Sequence, residues 1–266
     1  IAKVSEYFML RSSGLFTDML RYPLFIPFVA ILTTALLGTE IAIFTAAFLT
    51  VVMGLTLAVD HSRFIFVNML AGFASVLFSG FLRKRKQVFT VCAKVWVLCV
   101  LLFFCYNLEG NRIWTPIMAG DITSALLYMI FTSILVVGLL PILESLFHVM
   151  TDITLMEFMD PNNELLRRLS IEAPGTYQHC LVVGSIAEAA AQAIGANGLF
   201  CRVSTLYHDI GKLLNPHYFT ENQMGGFNIH QLLTPVESAQ VIISHVKEGE
   251  VLAKKHSLPK SFIDVI

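Results

Sequence analysis

The chain has 266 residues, 56% of them hydrophobic and only 14% charged, with a mean hydropathy of +0.71 and a formal net charge of −1. So apolar a composition excludes an ordinary water-soluble domain of this length, while the near-neutral charge argues neither for nor against nucleic acid. Five cysteines without a CxxC pair suggest neither a zinc knuckle nor a disulfide framework.

The charges are unevenly spread. Between Pro23 and Leu82 only Glu40, Asp60 and Arg63 are charged, whereas charged residues become frequent after Met150. The first half therefore reads as lipid-facing and the second as water-facing. Crossing the hydrocarbon core takes about 20 apolar residues. The candidates are 24–38, the shortest, then 41–59, 64–82, 88–108 and 122–147, giving a transmembrane region over 23–148 with about five spans. Cys92, Cys99 and Cys105 all fall in the fourth span, where a thiol behaves as a small hydrophobe. Lys94 lies near the start of that span and can snorkel to the interface. Tyr106 and Trp114 sit at a span end, as interfacial aromatics do.

Orientation follows from Arg83-Lys-Arg-Lys86, four cations in one short loop, which favour the cytoplasmic side. The 109–121 loop is then external and everything after Met150 cytoplasmic, in a multi-pass protein of the plasma membrane. An odd span count places residues 1–22 outside, or beside the membrane, against a mild pull from Lys3, Arg11 and Arg21.

Residues 149–172 read as a linker helix, broken at Asp160-Pro-Asn-Asn163, where Asp or Asn can cap a new helix with Pro at its first position. Ala173-Pro-Gly-Thr-Tyr177 reads as a turn. Beyond it, 181–194, 200–213, 234–247 and 252–256 have helical periodicity, and no segment after Met150 alternates as a strand would. The fold class is all-α: a polytopic helical bundle followed by a cytoplasmic helical domain over 173–266.

The chemistry concentrates in Tyr207-His-Asp-Ile-Gly-Lys212. On a regular helix neighbouring side chains point about 100° apart, so His208 and Asp209 can share a site only over the helix edge between them. A binuclear metal cluster meets that demand, with the carboxylate bridging both ions. His179, at the start of one helix, and His245, late in another, can converge on the same centre. Imidazole with carboxylate suits iron, manganese or zinc better than magnesium or calcium. Lys212, one turn from His208, can meet a substrate phosphate; the bland alternative is an exposed helical lysine. His217, His230 and His256 read as surface residues or as supports behind the ligands.

At these residues the chain resembles the membrane-bound HD-domain phosphodiesterases of the PgpH type, seven-transmembrane proteins with an intracellular HD hydrolase. The resemblance covers most of the chain. It runs through Leu140-Pro-Ile-Leu-Glu144, Asn163-Glu-Leu-Leu-Arg-Arg-Leu169, Ala173-Pro-Gly-Thr-Tyr-Gln-His179 and Ile194-Gly-Ala-Asn197. It continues through Tyr207-His-Asp-Ile-Gly-Lys212, Phe219-Thr-Glu-Asn-Gln223 and Ser244-His-Val-Lys247. It implies hydrolysis of cyclic di-AMP to the linear dinucleotide pApA at a site with two divalent ions, manganese or iron. His179, His208, Asp209 and His245 stand as metal ligands, with Asp209 and Lys212 as catalytic residues. Gln178 and Cys180 replace a His and a Ser common in the family. The expected partners are a cyclic dinucleotide and the lipid bilayer, with no nucleic-acid polymer; a homodimer stays open.

The chain starts at Ile1 rather than Met and stops in an apolar-periodic stretch, so it reads as a fragment. The family's further ligands, a His-His-Gly segment and a later Asp, would follow Ile266. On that reading the fragment alone is inactive, and its last helix frays because Phe262 and Ile263 lose the partners that would follow. The rival functions are a receptor that binds a nucleotide without turning it over, and a transporter with a regulatory tail. Few ionisable residues in the spans speak against the transporter.

Overall fold

A computed structural model describes residues 23–56, 61–109, 116–223 and 228–266. The expectations for residues 1–22, Asp60 and Trp114 lie outside the described residues. Among those described there is no strand, and the chain divides into two compact units after Ile153.

The first unit holds α1 (Ile26–Leu37), α2 (Thr39–Thr56), α3 (His61–Ser79), α4 (Lys86–Glu109) and α5 (Pro116–Phe147). Among the described residues, α2 to α5 are the four helices long and apolar enough to cross a membrane. The span expected at 24–38 is only 12 residues of helix, roughly 18 Å at 1.5 Å per residue, against a core of about 30 Å. It starts late because Pro27 needs the first turn, where its missing N–H costs nothing.

This unit has its polarity arranged inside out. Large apolar side chains such as Phe44, Phe48, Leu55, Leu77 and Phe81 are exposed, while Thr50, Asn68, Ser75, Asn107, Ser124 and Thr132 are buried. In lipid such groups must find partners on the protein. Thr50, Ser75 and Asn107 return hydrogen bonds to the carbonyls of Ala46, Ala71 and Phe103, one turn back. Small residues let the helices close: a Cβ on Gly72 of α3 would stand 2.8 Å from Ile26 Cγ2 and 3.4 Å from the Ala46 methyl.

Arg83, Lys84 and Arg85 stand just before α4 and Lys86 opens it, at the end where a helix dipole disfavours positive charge. Gln87 Oε1 accepts from the Arg83 and Lys84 amides at 2.8 and 2.9 Å and ties the loop. At the far end of α3, Arg63 Nη2 meets the buried Asp121 of α5 at 2.5 Å, and Arg63 Cζ lies 4.8 Å from the Tyr106 ring centre. After α5, Glu144 Oε1 accepts from the Thr151 amide at 3.0 Å and from its hydroxyl at 2.5 Å, securing the turn that follows.

The linker consists of α6 (Asp152–Phe158) and α7 (Glu164–Glu172), separated at the Asp160–Asn163 break. Asn163 caps α7 by accepting from the Leu165 amide at 3.1 Å, while Pro161 stays in the turn ahead of it. The second unit continues with α8 (Pro174–Ala193), α9 (Gly198–Thr205), four short 3-10 turns between 210 and 232, α10 (Pro235–Lys255) and α11 (Lys260–Ile263). The expected turn at 173–177 is already helix, with Pro174 in the first turn of α8, so His179 lies in its second turn rather than at its start. The segments 234–247 and 252–256 are one helix, opened by a capping box in which Thr234 and Glu237 each accept from the other's amide.

The core of this unit forms around Leu165, Leu169, Val203, Tyr207, Ile210, Leu252 and Phe262. Phe262 is fully buried, with ring centroids of Phe158, Tyr207 and Phe200 at 5.1, 5.5 and 5.9 Å, so it is packed by residues that precede it. The Tyr207 hydroxyl donates to Phe158 O at 2.5 Å, and burial pushes this phenol's pKa well above its ordinary value.

Candidate metal centre

The His-Asp pair does not ride on a helix. α9 stops at Thr205, residues 206–209 turn, and a 3-10 segment follows over Ile210–Leu214. The break removes the problem of diverging neighbours: in the turn, His208 Nε2 lies 3.3 Å from Asp209 Oδ2. The same oxygen is 3.8 Å from His179 Nε2, while Asp209 Oδ1 is 3.3 Å from His245 Nε2. Asp209 itself is buried. Three elements, α8, the 206–209 turn and α10, thus aim imidazoles at the two oxygens of one carboxylate.

His179, His208 and Asp209 each offer a donor atom, and these atoms lie within 4.8 Å of one another, a grouping that could hold a metal ion. The histidines are oriented for it. His208 Nδ1 faces Thr205 O at 2.7 Å, and His245 Nδ1 faces Ile242 O. A ring nitrogen against a carbonyl oxygen carries the proton, which leaves each Nε2 lone pair directed at the site. Cys180 Sγ is 3.7 Å behind His208 Nδ1, and burial, with a smaller push from Asp209, raises that thiol to about 12. It is therefore a neutral packing group.

Lys212 is no exposed helical lysine. Its side chain is 13% accessible and its Nζ sits 2.8 Å from Asp209 Oδ2 and 2.9 Å from Glu221 Oε1. Burial pulls its pKa down, but the hydrogen bonds and charges of Asp209 and Glu221 outweigh burial and hold it above the ordinary lysine value.

Gly211 serves packing. A Cβ there would fall 1.9 Å from His245 O and 2.6 Å from the Gly249 amide nitrogen. The absent side chain is what lets the turn bearing His208 and Asp209 lie directly on α10. The other histidines stand apart. His230 bridges Tyr218 O and Ser238 Oγ, each at 2.6 Å, and His256 Nδ1 is 3.5 Å from Glu164 Oε2.

The reading of the sequence missed Thr176, Phe219, Glu221 and Asn222. Thr176 Oγ1 donates to Glu221 Oε1 at 3.1 Å and accepts from Asn222 Nδ2 at 2.8 Å. The Phe219 ring stands edge-on to His245 at 5.6 Å and 4.9 Å from Lys212 Nζ. Their one signal was membership of the 173–179 motif, for Thr176, and of the 219–223 motif, for the other three; neither carries a spacing rule.

Comparison with known proteins adds the following. The description "7TM receptor with intracellular HD hydrolase" matches residues 6–151, and "HD domain" matches residues 176–266. The chain is 36% identical to the cyclic-di-AMP phosphodiesterase PgpH of Bacillus subtilis (strain 168) over 203 residues, 74% of this chain and 28% of that protein. It is 35% identical to the enzyme of the same name from Listeria monocytogenes serotype 1/2a over 243 residues, 90% of this chain and 33% of that protein. The chain therefore spans about a third of the length of these relatives. A crystal structure of the L. monocytogenes PgpH HD domain matches at 48% identity over 39% of this chain and 50% of that one, with a TM-score of 0.38.

Proposed function

This chain belongs to the family of 7TM receptors with an intracellular HD hydrolase, and on that footing we propose a membrane-bound, metal-dependent phosphodiesterase that hydrolyses cyclic di-AMP to linear pApA. The observation that carries the reading is Asp209, whose two oxygens face His208 and His179 on one side and His245 on the other. The donor chemistry fits: neutral imidazoles and one buried carboxylate suit a divalent transition metal. The names of the B. subtilis and L. monocytogenes relatives support the choice of substrate.

In this reading His179, His208, Asp209 and His245 would hold two divalent ions, manganese or iron. Bound there, the ions supply Lewis acidity that lets water ionise near neutral pH and offsets charge gathering on the phosphate. Water's oxygen joins phosphorus, the bond from phosphorus to a ribose 3′ oxygen breaks, and that oxygen takes a proton. Thr205 O and Ile242 O keep two of the imidazoles in the tautomer that presents Nε2. Lys212 has three N–H donors, two of them engaged by Asp209 and Glu221; the third can hold a phosphate oxygen. The HD unit faces the cytoplasm, where its dinucleotide is, and the membrane unit couples it to a signal.

The test replaces His208 or Asp209 by Ala in the full-length protein. Either change removes cyclic di-AMP turnover with added manganese by several orders of magnitude and leaves membrane insertion intact. Undiminished product formation in either variant would sink the assignment. Tight nucleotide binding without turnover in the wild type would favour the non-catalytic receptor instead.

A further inference from the structure

We propose that Glu221 is a positioning residue, which locks the helix bearing His179 onto the turn bearing Asp209. The inference rests on the phosphodiesterase reading and adds to it a part that none of the four ligands plays.

One oxygen, Glu221 Oε1, receives both Lys212 Nζ at 2.9 Å and Thr176 Oγ1 at 3.1 Å. Lys212 goes on to Asp209 Oδ2 at 2.8 Å. Thr176 lies one turn before His179 on α8, so hydroxyl, carboxylate and ammonium join the His179 helix to the Asp209 turn. Asn222 doubles the link: its Oδ1 accepts from the Thr176 amide at 3.1 Å and its Nδ2 donates to the Thr176 hydroxyl at 2.8 Å. Thr176 is fully buried, so this hydroxyl has no water to turn to if its partners go.

The backbone agrees with the side chains. A Cβ on Gly175 would stand 1.9 Å from Glu221 O, so the first turn of α8 and the 220–222 segment lie against each other with no room between. Two residues back, Phe219 sets its ring on His245. The 219–222 segment therefore touches α8 and α10 directly and reaches the 206–209 turn through Lys212. The separation between His179 Nε2 and Asp209 Oδ2, 3.8 Å, is the widest of the three imidazole distances to Asp209. It is also the one this link spans. Supports behind ligands typically change metal affinity 10- to 100-fold when lost.

The experiment uses the full-length protein in detergent or membranes, with manganese as the probe. Manganese affinity, folded fraction, and kcat and KM for cyclic di-AMP are measured for wild type, Glu221→Ala, Glu221→Gln, Thr176→Val and Thr176→Ser. Glu221→Ala and Thr176→Val should weaken manganese binding by about tenfold or more and lower kcat, at an unchanged folded fraction. Thr176→Ser, which keeps the hydroxyl, should restore both. Glu221→Gln, which keeps an acceptor but loses the charge, should fall between. Manganese affinity within twofold of wild type in folded Glu221→Ala or Glu221→Gln would overturn the proposal. So would a loss that only follows the folded fraction, or one that Thr176→Ser fails to restore. His208→Ala separates the two levels: if it binds manganese like wild type, the metal reading itself fails and the positioning role falls with it.

Discussion

A methyl group has no room at Gly211. Its nearest neighbours would be backbone atoms of α10, which cannot rotate away as a side chain can. Gly211→Ala should therefore push the Asp209 turn off His245, destabilise the unit by about 1–3 kcal/mol and weaken manganese binding beyond what unfolding accounts for. Gly249→Ala should be milder, because its added methyl meets first the Ile266 Cγ2 methyl at 2.8 Å and backbone, the Gly211 nitrogen, only at 3.3 Å. Denaturant midpoints and metal titrations of the two variants check the order; equal effects would contradict it. The residues of the site were legible to different degrees. His208 and Asp209 announced themselves, since an adjacent imidazole and carboxylate are chemistry in any fold. Thr176 and Glu221 did not, because a hydroxyl and a carboxylate are common on any surface and 45 residues separate them. The ion pair of Arg63 and Asp121, 58 residues apart, was hidden in the same way.

Among the elements, α9 shows why a correct periodicity can give a wrong helix. Val203, Leu206, Tyr207, Ile210 and Leu213 are all buried, and their spacing of three and four suits one amphipathic helix. A short helix followed by a turn and a 3-10 segment brings side chains round at nearly the same interval, so the pattern cannot distinguish them. The choice falls to tertiary packing, here the contact of Gly211 with α10. α10 carries its start signal in local chemistry, and that was readable. The Thr234 hydroxyl accepts from the Glu237 amide at 3.3 Å, and Glu237 Oε2 accepts from the Thr234 amide at 2.8 Å. Thr234→Ala should cost about 1 kcal/mol, seen as a lowered melting temperature. Since the cap lies about three turns from His245, metal affinity of the folded protein should not change; a parallel loss of affinity would mean that the helix start is coupled to the site.

For the molecule as a whole, the sidedness of the membrane unit decides whether the proposed enzyme can meet its substrate. Among the described residues of this unit several polar side chains are buried while many large apolar ones are exposed, as lipid requires, and the division between the two halves was plain from composition alone. Arg83, Lys84, Arg85 and Lys86 sit at the start of a helix, where the dipole opposes them, so local helix stability does not account for their place. On the proposed topology, retention on the cytoplasmic side does. A reporter fused after Lys86 should score as cytoplasmic and one after Asn111 as external; reversed labelling would place the HD unit away from cytoplasmic dinucleotides. The length of α1 was not legible, because an apolar stretch of fifteen residues reads the same whether or not its first turn forms.

Gly175 and Gly211 carry no functional group, yet each has a backbone oxygen of a distant segment within 1.9 Å of where its Cβ would be. A saturation survey scored by loss of signalling will rank these two positions beside the histidines. Natural variation will follow the same rule, since at either position every one of the other nineteen amino acids adds at least the atom that does not fit. Inheritance at these two codons is therefore constrained by empty space rather than by reactivity.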